Sequence, residues 1–272
     1  MKVVQAWTAL AFTTAVALCG CGRSAPWAPA AERPSSRPND ANDNGYLAPP
    51  RARQAILAGD GATVLSGLAL AGATVRVTSP DGRRQEAKVD DAGAWSVSLP
   101  AVGPAIYGLS QEASGRLDQA QGYVVVLPGA PPVAAELRSG AGARLLQGGA
   151  GKLQIDAVDF DDTGAAVVSG WAAPNQPLRV LLDGVVADES TAGATGRFSL
   201  ALPKPLVAGR RALQIVVPNG AKVRADLEVG PASPFAGAMR AFKHGSSWRI
   251  DWKTPAGGDQ TTILFPTPRT GP

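Results

Sequence analysis

Few residues in this chain are equipped for chemistry, and their spacing limits what they could do. There is one histidine, His244, set between Lys243 and Gly245. Nucleophilic catalysis would need that imidazole held between a hydroxyl or thiol and a carboxylate, and no Gly-x-Ser-x-Gly turn accompanies it. His244 therefore reads as a solvated loop residue. The one dense acidic group is Asp156, Asp159, Asp161 and Asp162. Asp159, Asp161 and Asp162 are weak candidates for calcium, which would need several oxygens converging at about 2.3–2.6 Å. Their spacing lacks the regular ligand pattern of a calcium loop, so a solvated strand end is the favoured reading. Trp248 and Trp252 flank Ile250 at period two. They could stack on sugar rings if that face were open, or plug a core if it were covered. Zinc and iron sites are not expected with one histidine and with both cysteines inside the first 21 residues. No glycine-rich loop precedes a helix, so phosphate cradling has no support and no cofactor is expected.

Both cysteines lie in Leu18-Cys19-Gly20-Cys21, which closes the uncharged run from Val3 to Leu18 behind a basic Lys2. That pattern resembles the lipobox of bacterial lipoprotein precursors. The resemblance implies that residues 1–20 are a signal peptide cleaved after Gly20 and that Cys21 becomes lipidated. Gly22 in place of aspartate implies passage to the outer membrane, facing either the periplasm or the surface. Each buried methylene of a lipid contributes about 0.8 kcal/mol, so a multiply acylated Cys21 would hold the chain on a membrane. The mature chain would then keep no free thiol and no disulfide, leaving its stability to apolar cores and hydrogen-bonded sheets. The 26 basic and 22 acidic residues give +4, with no basic cluster interleaved with aromatics. Nucleic acid is not an expected partner.

Residues 21–55 are rich in Pro, Ala, Ser, Asn and Asp and poor in aliphatics. Such a stretch cannot bury enough apolar surface to offset ordering, and it is expected to form a disordered tether with an end-to-end reach of about 30 Å.

Beyond it the chain repeats itself at an offset of 103 residues. Val64-Leu65-Ser66-Gly67 returns as Val167-Val168-Ser169-Gly170, and Gly93-Ala94-Trp95-Ser96-Val97-Ser98-Leu99-Pro100 returns as Gly196-Arg197-Phe198-Ser199-Leu200-Ala201-Leu202-Pro203. Within each copy Trp95, Val97 and Leu99, or Phe198, Leu200 and Leu202, alternate with small or polar residues, the period of an antiparallel strand with one buried side. Pro80-Asp81-Gly82, Asp183-Gly184 and Pro218-Asn219-Gly220 provide the turns between strands. No long 3.6-period apolar pattern appears. These features predict an all-β protein with two tandem β-sandwiches, residues 56–138 and 139–230. After Pro100, Ile106-Tyr107-Gly108 is expected to weaken the corresponding strand of the first copy.

The motifs Val-x-Ser-Gly, Val-x-Val, Asp-Gly and Gly-x-aromatic-Ser-aliphatic-x-Leu-Pro resemble bacterial immunoglobulin-like modules of surface and envelope proteins. The second copy, from Val158-Asp159-Phe160-Asp161-Asp162 to Glu228, is similar to the module that accompanies peptidoglycan-binding LysM domains in proteobacterial proteins. No LysM motif is present, so the resemblance implies a fold and carries no peptidoglycan binding with it.

Residues 231–272 form a C-terminal extension. Trp248, Ile250 and Trp252 alternate with Arg249, Asp251 and Lys253, and a β-branched run from Thr261 to Phe265 follows. This predicts a hairpin with a loop of about seven residues, its Trp face packed on the second sandwich because an isolated hairpin is marginal. The expected function is that of a non-enzymatic, lipid-anchored cell-envelope protein whose immunoglobulin-like repeat serves as scaffold, spacer or adhesion module. The alternative is an envelope lipoprotein that binds peptidoglycan or another glycan through the Trp hairpin. Expected partners are the membrane, through lipidated Cys21, and envelope proteins or a cell-wall or surface glycan.

Overall fold

The computed structural model describes residues 47–59, 61–100, 103–146 and 152–266. Cys21, the signal segment and residues 21–46 of the expected tether lie outside them. Among the described residues there is no helix; the chain is all-β. In the first copy β1 (Arg51–Leu57), β2 (Thr63–Leu68) and β5 (Ala94–Leu99) make sheet I, in the order β1-β2-β5. Opposite lies sheet II, in which β3 (Thr74–Thr78), β4 (Arg84–Lys88), β6 (Ala105–Ala113) and β7 (Arg116–Leu127) run in the order β4-β3-β6-β7. The second copy repeats this. Sheet III contains β10 (Gln154–Asp161), β11 (Ala166–Trp171) and β14 (Arg197–Ala201). Sheet IV contains β12 (Pro177–Leu182), β13 (Val185–Thr191), β15 (Gly209–Val216) and β16 (Lys222–Val229), ordered β13-β12-β15-β16. Seven antiparallel strands split three and four in this order make each copy an immunoglobulin-like sandwich.

The repeat extends to backbone detail. The register of β1 on β2 shifts between Ala52 and Gln54, and that of β10 on β11 shifts between Ile155 and Ala157, 103 residues later. The Ser-Gly pairs have a packing reason as well. A Cβ on Gly67 would stand 1.9 Å from the Arg51 carbonyl oxygen and 2.7 Å from the Trp95 ring; on Gly170 it would stand 2.1 Å from the Gln154 carbonyl oxygen and 2.7 Å from the Phe198 ring. Glycine lets the aromatic of the neighbouring strand lie across the chain.

Strands outside the repeat complete two of the sheets. β8 (Val133–Leu137) and β9 (Arg144–Leu145) add to β7 and widen sheet II. β17 (Met239–His244), β18 (Ser247–Lys253) and β19 (Asp259–Leu264) return to the free side of β10, so sheet III reads β14-β11-β10-β19-β18-β17.

Three cores follow from this. Trp95, Val97, Val75 and Val124 pack between sheets I and II, and Phe198, Leu200, Val180 and Leu213 pack between sheets III and IV. The third core lies between sheets II and III. There Ile106, Val125, Leu127 and Leu137 meet Ala157, Trp248, Ile250, Trp252 and Leu264. The four sheets are thus layers of one stack, and sheets II and III are apolar on both faces. Along β7, Val124 and Val126 enter the first core while Val125 and Leu127 enter the third.

Several expectations change. The first sandwich begins at Arg51, inside the stretch expected to be tether, because Ala52 and Ala55, on either side of the β1 bulge, both enter its core. The stretch around Ile106-Tyr107-Gly108 is a continuous nine-residue strand, β6. The C-terminal hairpin has a third strand, β17, and its Trp face turns away from the core of the second sandwich onto sheet II of the first.

Candidate functional site: the polar junction of the layers

The third core is not purely apolar. Asp159, on the face of β10 that looks toward sheet II, is buried. Its Oδ1 accepts a hydrogen bond of 2.5 Å from the Thr262 hydroxyl of β19, and its Oδ2 accepts one of 2.7 Å from the backbone N–H of Ala143. Thr262 Oγ1 in turn accepts the Trp252 indole N–H at 3.1 Å. The Ala143 carbonyl accepts the Ser169 hydroxyl of β11 at 2.6 Å. Both backbone groups of Ala143 are therefore held by sheet III. Gly142 permits this approach, since a Cβ there would stand 2.7 Å from the Ser169 Cβ. One chain of hydrogen bonds thus joins the C-terminal hairpin, β10, β11 and the β8–β9 connection of sheet II. Burial pushes the Asp159 carboxyl up to about 7, and the bonds from Thr262 and Ala143 offset it only in part.

A second buried carboxylate sits at the bulge of β10. Asp156 Oδ1 accepts from the Gln154 amide, and Arg197 Nη2 of β14 stands 3.9 Å from Oδ2. Burial raises the Asp156 carboxyl to about 6, against the opposing pull of Gln154 and Arg197. Arg197 lies 4.2 Å over the centre of the Trp171 ring, and burial lowers its own pKa. The Trp171 N–H faces the Asp156 carboxylate without reaching hydrogen-bond geometry. The third carboxylate, Asp251 of β18, is fully buried. It accepts from Arg240 at 2.6 Å, Arg249 at 3.0 Å and the Thr261 hydroxyl at 2.8 Å. Arg249 also donates to the carbonyls of Glu228 at 3.2 Å and Gly230 at 2.9 Å. This network fastens β17, β18 and β19 to the end of β16.

The residues nominated from sequence are distributed differently from the chemistry first considered for them. Trp248 and Trp252 are buried in the third core, and Tyr123 meets Trp252 edge-on at 6.0 Å. A sugar platform on these two rings is corrected by this placement, because sheet II covers the face they share. Asp159 is engaged as described. Asp161 Oδ1 accepts from the Thr163 N–H, the Thr163 hydroxyl and the Ala165 N–H, closing the β10–β11 turn. Asp162 is exposed. The three aspartates do not converge, and no cluster of three or more potential metal-ligating side chains occurs among the described residues. His244 is exposed at the end of β17, where its carbonyl accepts the Ser247 hydroxyl. Two surface hollows, of about 400 and about 290 Å³, open on the first sandwich around Tyr107, and none of the buried carboxylates lines them. Asp251, Thr262, Ser169 and Arg249 were not nominated from sequence. The signal that marks them is polar residues alternating within strands whose two faces are both covered.

No family model matches the chain, and no curated protein matches it. Among solved structures, one titled as a biofilm-associated protein BSP domain is similar at 17% identity with a TM-score of 0.23, over 69% of this chain. This chain spans 30% of that one. An overlap so slight carries no argument, and the immunoglobulin-like assignment stands on strand order.

Proposed function

We propose that this chain is a non-enzymatic scaffold or spacer of the bacterial cell envelope, anchored in the outer membrane by lipid on Cys21 and meeting other envelope proteins through its sandwich surfaces. The observation that carries the reading is the use made of the polar side chains. The buried carboxylates hold strands and layers together, each engaged by its own partners, and none lines either surface hollow. A body so built has its interior chemistry committed to its own assembly. The sequence Leu18-Cys19-Gly20-Cys21 supports the anchor and the address. Adhesion is the use of such a body that its uncovered sheet edges favour.

Metabolic labelling with a palmitate analogue, combined with membrane fractionation, tests this reading. Wild type should be labelled and sediment with membranes, and Cys21→Ser should be unlabelled and released. Equal membrane association of the two would overturn the anchor.

A further inference from the structure

One edge of this repeat carries a strand in the second sandwich and, among the described residues, carries none from Gln54 to Leu57 in the first, where only the Ala52 carbonyl is met, by Arg144 at 3.0 Å. In the second, β10 carries β19 on the side away from β11, with Ala157 paired to Leu264 and Asp161 to Gln260. The positions 103 residues earlier are Gln54 to Ala58, along and just past β1. β1 ends sheet I and has no strand on that side among the described residues. The two edges follow the same bulge, so they present their backbone in the same phase. The difference in cover is direct. Asp159 and Phe160 are 1% and 2% exposed, whereas their counterparts Ile56 and Leu57 are each 46% exposed.

Free edges are ordinarily guarded by charge. The other outermost strands apart from β5 carry charged side chains, and β1 carries its own, Arg51 and Arg53, only at its start. β5 is uncharged, but it packs against β4 and shows Ser96 and Ser98 to solvent. From Gln54 to Leu57, β1 has no charge and two half-exposed aliphatic side chains. A hollow of about 290 Å³ opens beside Leu57, lined by Thr63, Leu99, Tyr107, Val126 and Pro128.

We propose that β1 is a docking edge that accepts one antiparallel strand from a partner protein, in the register that β19 holds on β10. The partner segment is extended, uncharged, and β-branched or aliphatic, as Thr261 to Leu264 are. Ladder hydrogen bonds give such a contact its affinity, and side chains over Ile56 and Leu57 give it selectivity. The occupant takes its chemistry from β19, the strand that fills the equivalent edge of the second copy. The inference rests on the repeat and is independent of the lipid anchor.

Fluorescence anisotropy of a labelled peptide with the sequence of residues 259–266, titrated with the full-length chain in detergent, tests it. Native β19 already occupies β10, which leaves β1 as the edge of matching phase, and Ile56→Lys separates binding there from binding at the other sheet edges. Saturable binding is expected, weakened at least about tenfold by Ile56→Lys and kept by Val186→Lys, an exposed position on another sheet. Circular dichroism confirms that both variants are folded. Three results would each overturn the proposal: no saturation at millimolar peptide, binding indifferent to Ile56→Lys, or a dimer of the chain that Ile56→Lys dissolves, which would assign the edge to a second copy.

Discussion

Thr262 donates a 2.5 Å hydrogen bond to Asp159, and the two side chains meet in the core between the sandwiches instead of inside either one. Asp159 also accepts the N–H of Ala143 in the β8–β9 connection of sheet II, so a single carboxylate touches both halves of the stack. Partnered carboxylates in a low dielectric hold geometry well, and they carry a dependence on pH.

Stability should fall as pH rises from about 4 to about 7 through these groups. Burial raises Asp159 to about 7 and Asp156 to about 6 from an ordinary value of 3.8. The folded chain therefore keeps protons that the unfolded chain has released across that window. The stabilisation is fully present below the unfolded value and is lost as pH passes the folded values. Denaturant unfolding of wild type and Asp159→Asn at a series of pH values should show the slope reduced in the variant, by on the order of 2–4 kcal/mol across the window.

Gly170→Ala should destabilise by about 1–3 kcal/mol or more, the usual cost of overpacking. The new Cβ would meet the Gln154 carbonyl oxygen at 2.1 Å and the Phe198 ring at 2.7 Å. Gly67→Ala should behave alike, since its added Cβ meets Arg51 and Trp95 in the same way. Gly184→Ala is the contrast: no atom lies within 4 Å of its Cβ position, and its φ of 82° leaves backbone strain as the main source of any loss. Chemical denaturation of the three variants checks the order.

Asp251→Ala should cost about 3–5 kcal/mol, because it leaves Arg249 and Arg240 without their shared buried carboxylate. The loss should appear as a lower denaturant midpoint with an unchanged slope.

How much of this was legible beforehand depends on which faces are covered. The strand from Ala94 to Leu99 alternates cleanly because one of its sides is solvated, and its repeat from Arg197 to Ala201 could be found by comparison. β10 breaks the alternation, as Ile155-Asp156-Ala157-Val158-Asp159-Phe160, because Asp156 is the bulge residue, and both aspartates are buried. Alternation shows that a face is polar and leaves open whether another sheet lies on it. The Trp248-Ile250-Trp252 stripe demanded cover, and it received it from distant residues of the first sandwich, Ile106 to Leu137. β8, β9 and β17 are short or carry mixed patterns, which leaves little periodicity to mark them.

The claim that two sandwiches form one body through a shared core is tested most directly by hydrogen exchange on Trp252→Ala. Emptying so large an aromatic site should cost about 3–5 kcal/mol, and Tyr123 on β7 touches the Trp252 ring. Amides of β7 in the first sandwich and of β10 in the second should lose protection together and by similar amounts. Loss confined to β17, β18 and β19, with β7 exchanging as in the wild type, would contradict the account.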